Sequence, residues 1–428
     1  MTPQSNFMVV ASILPEREEA LGALLATMNV RPGVVDPTNA LFPFGRFDRL
    51  HVARFVILKD ETLGDLPPDD PFPNAPVWLA FLGDCDGDTE SLLAEFVAQA
   101  GDGLSRIFLH CVGFTPGVDL LRWMREHSVA PAAQYVNWVG RTVRQIREEA
   151  ALRAALQTYL KREAAAVGDQ SPLAIRDELI AFWRSNGLAL TPGASTPTGW
   201  RTRHLLNMIG VPVALLLLFP FLLLYSPFFL WQLRRRETTD PVIAPRPTST
   251  HVNALSVIED HDVSNQFSAF GSVKPRRFRL WTLIFIFWVL DFSTRQIYTR
   301  GRLARVGTIH FARWTFFDGK RRLFFASNYD GSLDSYMDDF INKVAYGLNL
   351  VFSNGIGYPR TKFLLWGGAK DELNFKYYLR RHELPTQVWY KAYPELTAAD
   401  LARNTMIREG LEVQEMTDSA ARQWLALI

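Results

Sequence analysis

The chain has 428 residues and a mass of 48.7 kDa, enough for two or three domains with ample core. Hydrophobic residues are 48% and charged residues 21%, which excludes wholesale disorder and a many-span transporter. A net charge of +2 calls for no nucleic acid, and two cysteines, Cys85 and Cys111, exclude a disulfide framework and a four-cysteine zinc site.

The N-terminal MTPQSNFMVVASILPEREEA has no basic leader and no long apolar stretch, so no secretory signal is expected and the thiols are expected reduced. Residues 7–14 read as a strand and 16–28 as a helix. Residues 49–58 alternate as a strand. A further strand, 77–82, follows the loop ETLGDLPPDDPFPNAP, whose Asp65, Asp69 and Asp70 are expected to be solvated. Residues 91–100 carry the helical stripe Leu92, Leu93, Phe96 and Val97, with Asp88 and Thr89 as N-cap candidates. Pro131 precedes a last strand at 132–139. The order is β-α-β-β-α-β, the ferredoxin-like split βαβ.

Residues 141–166 and 172–185 read as helices, and LTPGASTPTG at 190–199 as a linker. Residues 205–233, LLNMIGVPVALLLLFPFLLLYSPFFLWQL, carry no charge and exceed the roughly 20 residues a membrane span needs. Pro212, Pro220 and Pro227 predict kinks or breaks within them. Arg201, Arg203 and His204 precede the run and Arg234, Arg235 and Arg236 follow it, so both ends prefer the cytoplasmic face. A re-entrant or monotopic hairpin meets these demands; a buried soluble helix is the alternative. A second run, LWTLIFIFWVL at 280–290, is too short to span. Lys274, Arg276, Arg277 and Arg279 ahead of it and Trp281 and Trp288 within it favour a helix in the headgroup region. A return span through Phe292 would carry Asp291 and Arg295 into hydrocarbon.

The chain also repeats itself. FLGDCDGDTESLLAEFVAQAGDGLSRIFLHCVGF at 81–114 aligns without a gap to FASNYDGSLDSYMDDFINKVAYGLNLVFSNGIGY at 325–358. Asp86-Gly87 matches Asp330-Gly331, and Gly103-Leu104 matches Gly347-Leu348. Upstream, His51, Arg54 and Phe55 match His310, Arg313 and Trp314, and Ser12 and Pro15 match Ser272 and Pro275. Downstream, Arg125 and His127 match Arg380 and His382, and Ile146-Arg147-Glu148 matches Ile407-Arg408-Glu409. Two copies of one unit are expected, at roughly 11–150 and 271–420, a longer period than any solenoid.

This duplicated unit resembles the dimeric α+β barrel superfamily, to which chlorite dismutases and dye-decolourising peroxidases belong. The resemblance rests on element order and duplication over about two thirds of the chain, and the NYDGS segment is also similar to uncharacterised bacterial membrane-associated proteins. It implies an α+β fold of two tandem ferredoxin-like units forming a pseudo-dimeric barrel, with an inserted helical and membrane-associated segment. The expected divisions are 1–150, a connector 151–204, a membrane segment 205–236, a linker 237–270 and a second unit 271–428.

His51 and His310 hold equivalent strand positions. Alternation puts His51, Ala53 and Phe55 on one face and Val52, Arg54 and Val56 on the other. A duplicated histidine suits a haem or metal ligand, and a duplicated inward Arg54 and Arg313 suits a carboxylate or propionate. Alternatively each histidine closes a packed layer and each arginine pairs with a neighbouring helix. Gly83–Gly87 has the form G-x-x-D-G, which is similar to the distal motif of dye-decolourising peroxidases. That similarity gives Asp86, and by duplication Asp330, a role in peroxide cleavage, with His310, His382 or His127 as the proximal haem ligand. The plainer reading is a strand-to-helix turn. Asp84, Asp86, Asp88 and Glu90 resemble an acidic cation loop without the EF-hand spacing, so no metal site is assigned. Cys85, between two aspartates, should be a poor thiolate.

The leading expectation is a barrel on the cytoplasmic face of the inner membrane that contacts lipid and binds a hydrophobic small molecule in its interior or at its mouth. The alternatives are a haem-dependent peroxidase-like oxidoreductase acting on a lipid-soluble substrate, and a membrane-tethered assembly protein.

Overall fold

The computed structural model describes all residues except 67–74, 168–169, 241–242 and 244, so Asp69 and Asp70 lie outside the described residues. The first part of the chain contains β1 (Gln4–Ser12), α1 (Glu18–Ala26), a small hairpin of β2 (Asn29–Arg31) and β3 (Val34–Val35), and β4 (Leu50–Leu58). β5 (Trp78–Asp86), α2 (Thr89–Phe108), α3 (Leu120–Glu126) and β6 (Ala133–Val136) follow. The connecting region holds α4 (Val143–Arg162), α5 (Ala164–Val167), α6 (Pro172–Ser185), α7 (Thr198–Thr239) and α8 (Ser249–Ser256). Next come β7 (Ser264–Ser272), α9 (Arg277–Gln296), β8 (Ile309–Phe317), β9 (Arg322–Asp330) and α10 (Leu333–Phe352). The chain continues through a second hairpin, β10 (Thr361–Lys362) and β11 (Trp366–Gly367), to α11 (Glu372–His382), β12 (Thr386–Lys391), α12 (Ala398–Glu412) and α13 (Asp418–Leu425).

The architecture is mixed α+β. Two four-stranded antiparallel sheets run in the orders β1-β5-β4-β12 and β6-β8-β9-β7. Each sheet therefore takes its short edge strand from the other half of the chain. Burial explains the exchange. Ala133 and Tyr135 of β6 fit the apolar core of the second sheet, while Val388 and Tyr390 of β12 fit that of the first. The sheets face each other across Met8, Val10, Val56, Leu58, Ala80 and Leu82 on one side and Phe270, Phe317, Phe324 and Ala326 on the other. Their outer faces bury Phe7, Phe55 and Phe81 against Leu92 and Phe96 of α2, and Phe267 and Phe325 against Tyr336 and Met337 of α10.

β5 and α2 match β9 and α10 in length, and each helix has one non-helical residue at the same place, Ala100 (φ −136°) and Val344 (φ −141°). The capping side chains Asp88 and Ser332 also correspond, each accepting from the backbone N–H three residues on. The downstream match needs correcting. α4 and α12 both open on a capping box, at Thr142 with Gln145 and at Thr397 with Asp400, so Ile146 corresponds to Leu401 and not to Ile407. The second set of strands also starts at Ser264, inside the stretch read as linker, which holds α8 as well.

The apolar run forms one continuous helix of 42 residues, not a hairpin. Each of its three prolines removes a single hydrogen bond, and they are spaced two turns apart, so the remaining bonds carry the helix through. It is long and apolar enough to cross a membrane, and none of its most apolar stretch is buried. Both ends are fixed to the body. Just upstream, Thr191 N–H and Oγ1 donate to Glu148 (both 2.6 Å). Near the C-terminus Glu237 is buried and accepts from Thr361 Oγ1 (2.8 Å) and the backbone N–H groups of Phe363 and Leu364 (2.8 and 2.9 Å). The 280–290 run is the middle of the longer α9, and Phe229 of α7 meets its Phe278 with ring centroids 5.4 Å apart.

Candidate functional site

Two bulges decide where the histidines point. The β4–β5 pairing slips between Leu50 and Val52, and the β8–β9 pairing slips between Ile309 and Ala312. Leu50, not His51, therefore joins Ala53 and Phe55 in the outer core, which overturns the simple alternation. His51 Nε2 meets Asp86 Oδ1 at 2.9 Å and its Nδ1 meets the Tyr393 hydroxyl at 2.9 Å. His310 Nε2 meets Asp330 Oδ1 at 2.6 Å. The other oxygen of each aspartate accepts the first N–H of a helix: Val143 of α4 to Asp86 (2.9 Å) and Ala398 of α12 to Asp330 (2.7 Å). Each His–Asp pair thus joins a strand end to a helix N-terminus, where negative charge is favoured. Gly87 and Gly331 take positive φ (74° and 81°) directly after the aspartates, as the turn reading requires.

Arg54 and Arg313 point inward, but neither pairs with a helix. Arg54 crosses to the second sheet and donates to Phe267 O (2.9 Å), Ser268 Oγ (3.0 Å), Ser327 O (2.9 Å) and Asn328 Oδ1 (3.1 Å). Arg313 crosses to the first sheet and donates to Phe7 O (2.8 Å), Gly83 O (2.9 Å) and the Asp84 carboxylate. Burial and the nearby Arg313 lower the Arg54 pKa to about 9. Burial pushes the Asp84 carboxyl up, against the pull of Arg313. The void between these groups is about 10 Å³, so they leave no room for a ligand at that point between the sheets.

The acidic run is dispersed. Asp84 meets Arg313, Asp86 meets His51, Asp88 caps α2 and Glu90 pairs with Arg125. Asp65 is not simply solvated, because it pairs with Arg381 at 2.6 Å. Burial raises the Cys85 thiol to about 12, with Asp84 adding to the effect.

His51 and His310 have no room for a haem. The void shared by His51 and His310 is about 20 Å³, whereas a pocket for a drug-sized ligand is on the order of 300–1,000 Å³. His127 and His382 each use Nδ1 on the carbonyl four residues back, Trp123 O (2.9 Å) and Tyr378 O (2.7 Å), which fixes the ring and leaves Nε2 free among the described residues. The His382 ring is pressed onto β7, where a Cβ at Gly271 would lie 2.3 Å from its Cδ2. Comparison with protein-family models, with curated proteins and with solved structures finds no match.

An apolar space of ligand size lies elsewhere. An apolar cavity of about 380 Å³ sits outside the second sheet, between α9 and α10. Phe285, Val289 and Leu290 of α9, Met337 and Phe340 of α10, and Trp314 of β8 line it. Gly347 also faces it, since a Cβ built there meets nothing within 4 Å. The corresponding Gly103 has no such space, because its Cβ would fall 1.8 Å from Leu41 O. Sequence reading missed this cavity. The one available signal was a glycine inside a helix with no evident packing demand.

Proposed function

We propose that this protein lies on a membrane surface and holds an apolar small molecule in the cavity between α9 and α10. The observation that carries the reading is the cavity itself, whose lining is almost wholly hydrocarbon and aromatic. Its wall is α9, on which the cavity-lining Phe285 is itself partly exposed and lies beside the exposed Trp281 and Trp288. A ligand drawn from lipid would reach it without crossing water. The exposed apolar α7, docked on α9, supports a lipid-facing side, and the basic flanks favour the cytoplasmic face of the inner membrane. In this reading the chain is two tandem ferredoxin-like units that close into a pseudo-dimeric barrel by exchanging their last strands.

α7 would lie in the plane of the membrane. Both its ends are fixed to one body, and at about 1.5 Å per residue it is too long to turn upright without carrying that body into hydrocarbon. The test is organic extraction of detergent-purified protein followed by mass spectrometry, comparing wild type with Gly347→Trp, which fills the cavity. A near-stoichiometric apolar molecule lost in the variant is expected. Equal recovery from a folded variant, or none from either, would overturn the reading.

A further inference from the structure

We propose that Arg141 holds a small monovalent anion, a chloride ion or a carboxylate group, in the cleft between His51 and His310. Arg141 precedes the N-cap of α4 and is only 5% exposed. Its Nε, Nη1 and Nη2 are all buried and none has a hydrogen-bond partner. Its guanidinium carbon lies 3.9 Å from the centre of the Trp138 ring. That contact engages the flat face of the guanidinium and leaves its in-plane N–H groups without acceptors.

No carboxylate pairs with it directly, although Glu149 and Glu409 bear on it from further off. Among the described residues none lies within 4.0 Å of the guanidinium, and the nearby acids are committed elsewhere. Asp86 and Asp330 serve the histidines and the helix N-termini. Glu149 accepts from Thr405 Oγ1 and faces Arg408. A second guanidinium, Arg300, lies 5.4 Å from the same Trp138 ring and adds positive charge. Burial lowers the Arg141 pKa to about 10, against the pull of Glu149.

The cleft has the right size and asymmetry. Arg141, Gln4, His51, His310, Trp138 and Tyr393 border a void of about 20 Å³, room for a water or one small ion. On one side the Tyr393 hydroxyl occupies His51 Nδ1. On the other side His310 uses Nε2 on Asp330, and its Nδ1 has no partner among the described residues. Counting from the two capping threonines, Arg141 corresponds to Leu396. The His–Asp frame is thus built twice, and only one copy carries a cation at this point. The site does not depend on the apolar cavity.

The test uses full-length protein in detergent, melted in sodium chloride, sodium formate or sodium gluconate at one ionic strength. Chloride or formate should raise the melting temperature saturably by several degrees over gluconate, and Arg141→Gln should melt alike in all three. Stabilisation by formate alone would assign a carboxylate, and stabilisation by both any small monovalent anion. If Arg141→Gln does not fold, His310→Asn should raise the anion midpoint several-fold, and line broadening of chloride by wild-type protein should be reversed by formate. An indifferent wild type, or anion dependence that persists in the folded Arg141→Gln protein, would mean that water alone fills the cleft.

Discussion

Arg54 and Arg313 make the same reach in opposite directions, each ending on backbone carbonyls of the sheet it does not belong to. Their surroundings differ in one charge, because Asp84 faces Arg313 where Asn328 faces Arg54. Arg313→Met leaves a buried carboxylate without its cation and should destabilise by about 3–5 kcal/mol. Arg54→Met leaves only neutral acceptors and should cost about 1–3 kcal/mol. Urea unfolding of both variants checks the order. The gap should narrow as the pH falls, since Asp84 can then take a proton. An equal cost at neutral pH would contradict the ion pair.

Gly103 and Gly347 are matched in the repeat but should respond oppositely to alanine. At Gly103 the new methyl meets a backbone carbonyl that cannot rotate away, a clash of about 3 kcal/mol. At Gly347 it enters open space in a helix, so the substitution should be neutral or stabilise by up to about 1 kcal/mol. Thermal melts of the two variants decide it, and a matched loss at both would mean the cavity is closed.

His382 should couple stability to pH. Burial lowers its pKa below the ordinary 6.5, so the unfolded chain takes up the proton first as the pH falls. Its contribution is present above about pH 6.5 and is lost below it. Glu383 beside it is pushed well up by burial and by Glu259, and acts with the opposite sign. The comparison is therefore a difference. Between pH 7.5 and 5.5 wild type should lose stability relative to His382→Gln, as read by unfolding midpoints. Parallel curves would leave His382 without a shifted proton.

Both thiols should be silent in the native protein. Burial raises Cys85 and Cys111 to about 12, and both lie in the first core. A disulfide reagent at pH 8 should release no chromophore until denaturant is added, and then should report both thiols together. A fast native reaction would place that cysteine outside the core.

If α7 lies in the membrane plane, spin labels at Leu206, Phe219 and Leu230, all exposed, should sit at similar shallow depths. Power-saturation measurements in vesicles read those depths. A label at Phe219 far deeper than its two neighbours would instead indicate an upright span.

Much of the architecture was legible from residue pattern. Alternation located β4 and β8, and the stripe at Leu92 and Phe96 located the buried side of α2. What pattern does not carry is the partner. The spacing within 132–139 gives a strand, but only the core that receives Ala133 and Tyr135 says which sheet it joins. A bulge is likewise invisible to a period of two, so His51 was placed on the wrong face. Its contact with Tyr393 joins residues that nothing in the linear sequence links. Arg141 went unnoticed because its interest lies in the absence of partners, which only packing reveals.

The exchange of β6 and β12 also sets a schedule for synthesis. The edge of β4 is made early, while the strand that covers it belongs to a much later part of the chain. At roughly 5–20 residues per second the first sheet waits tens of seconds with an open ladder edge beside a large apolar helix. A nascent chain in that state has strong reason to reach a membrane, or a chaperone, before it is finished.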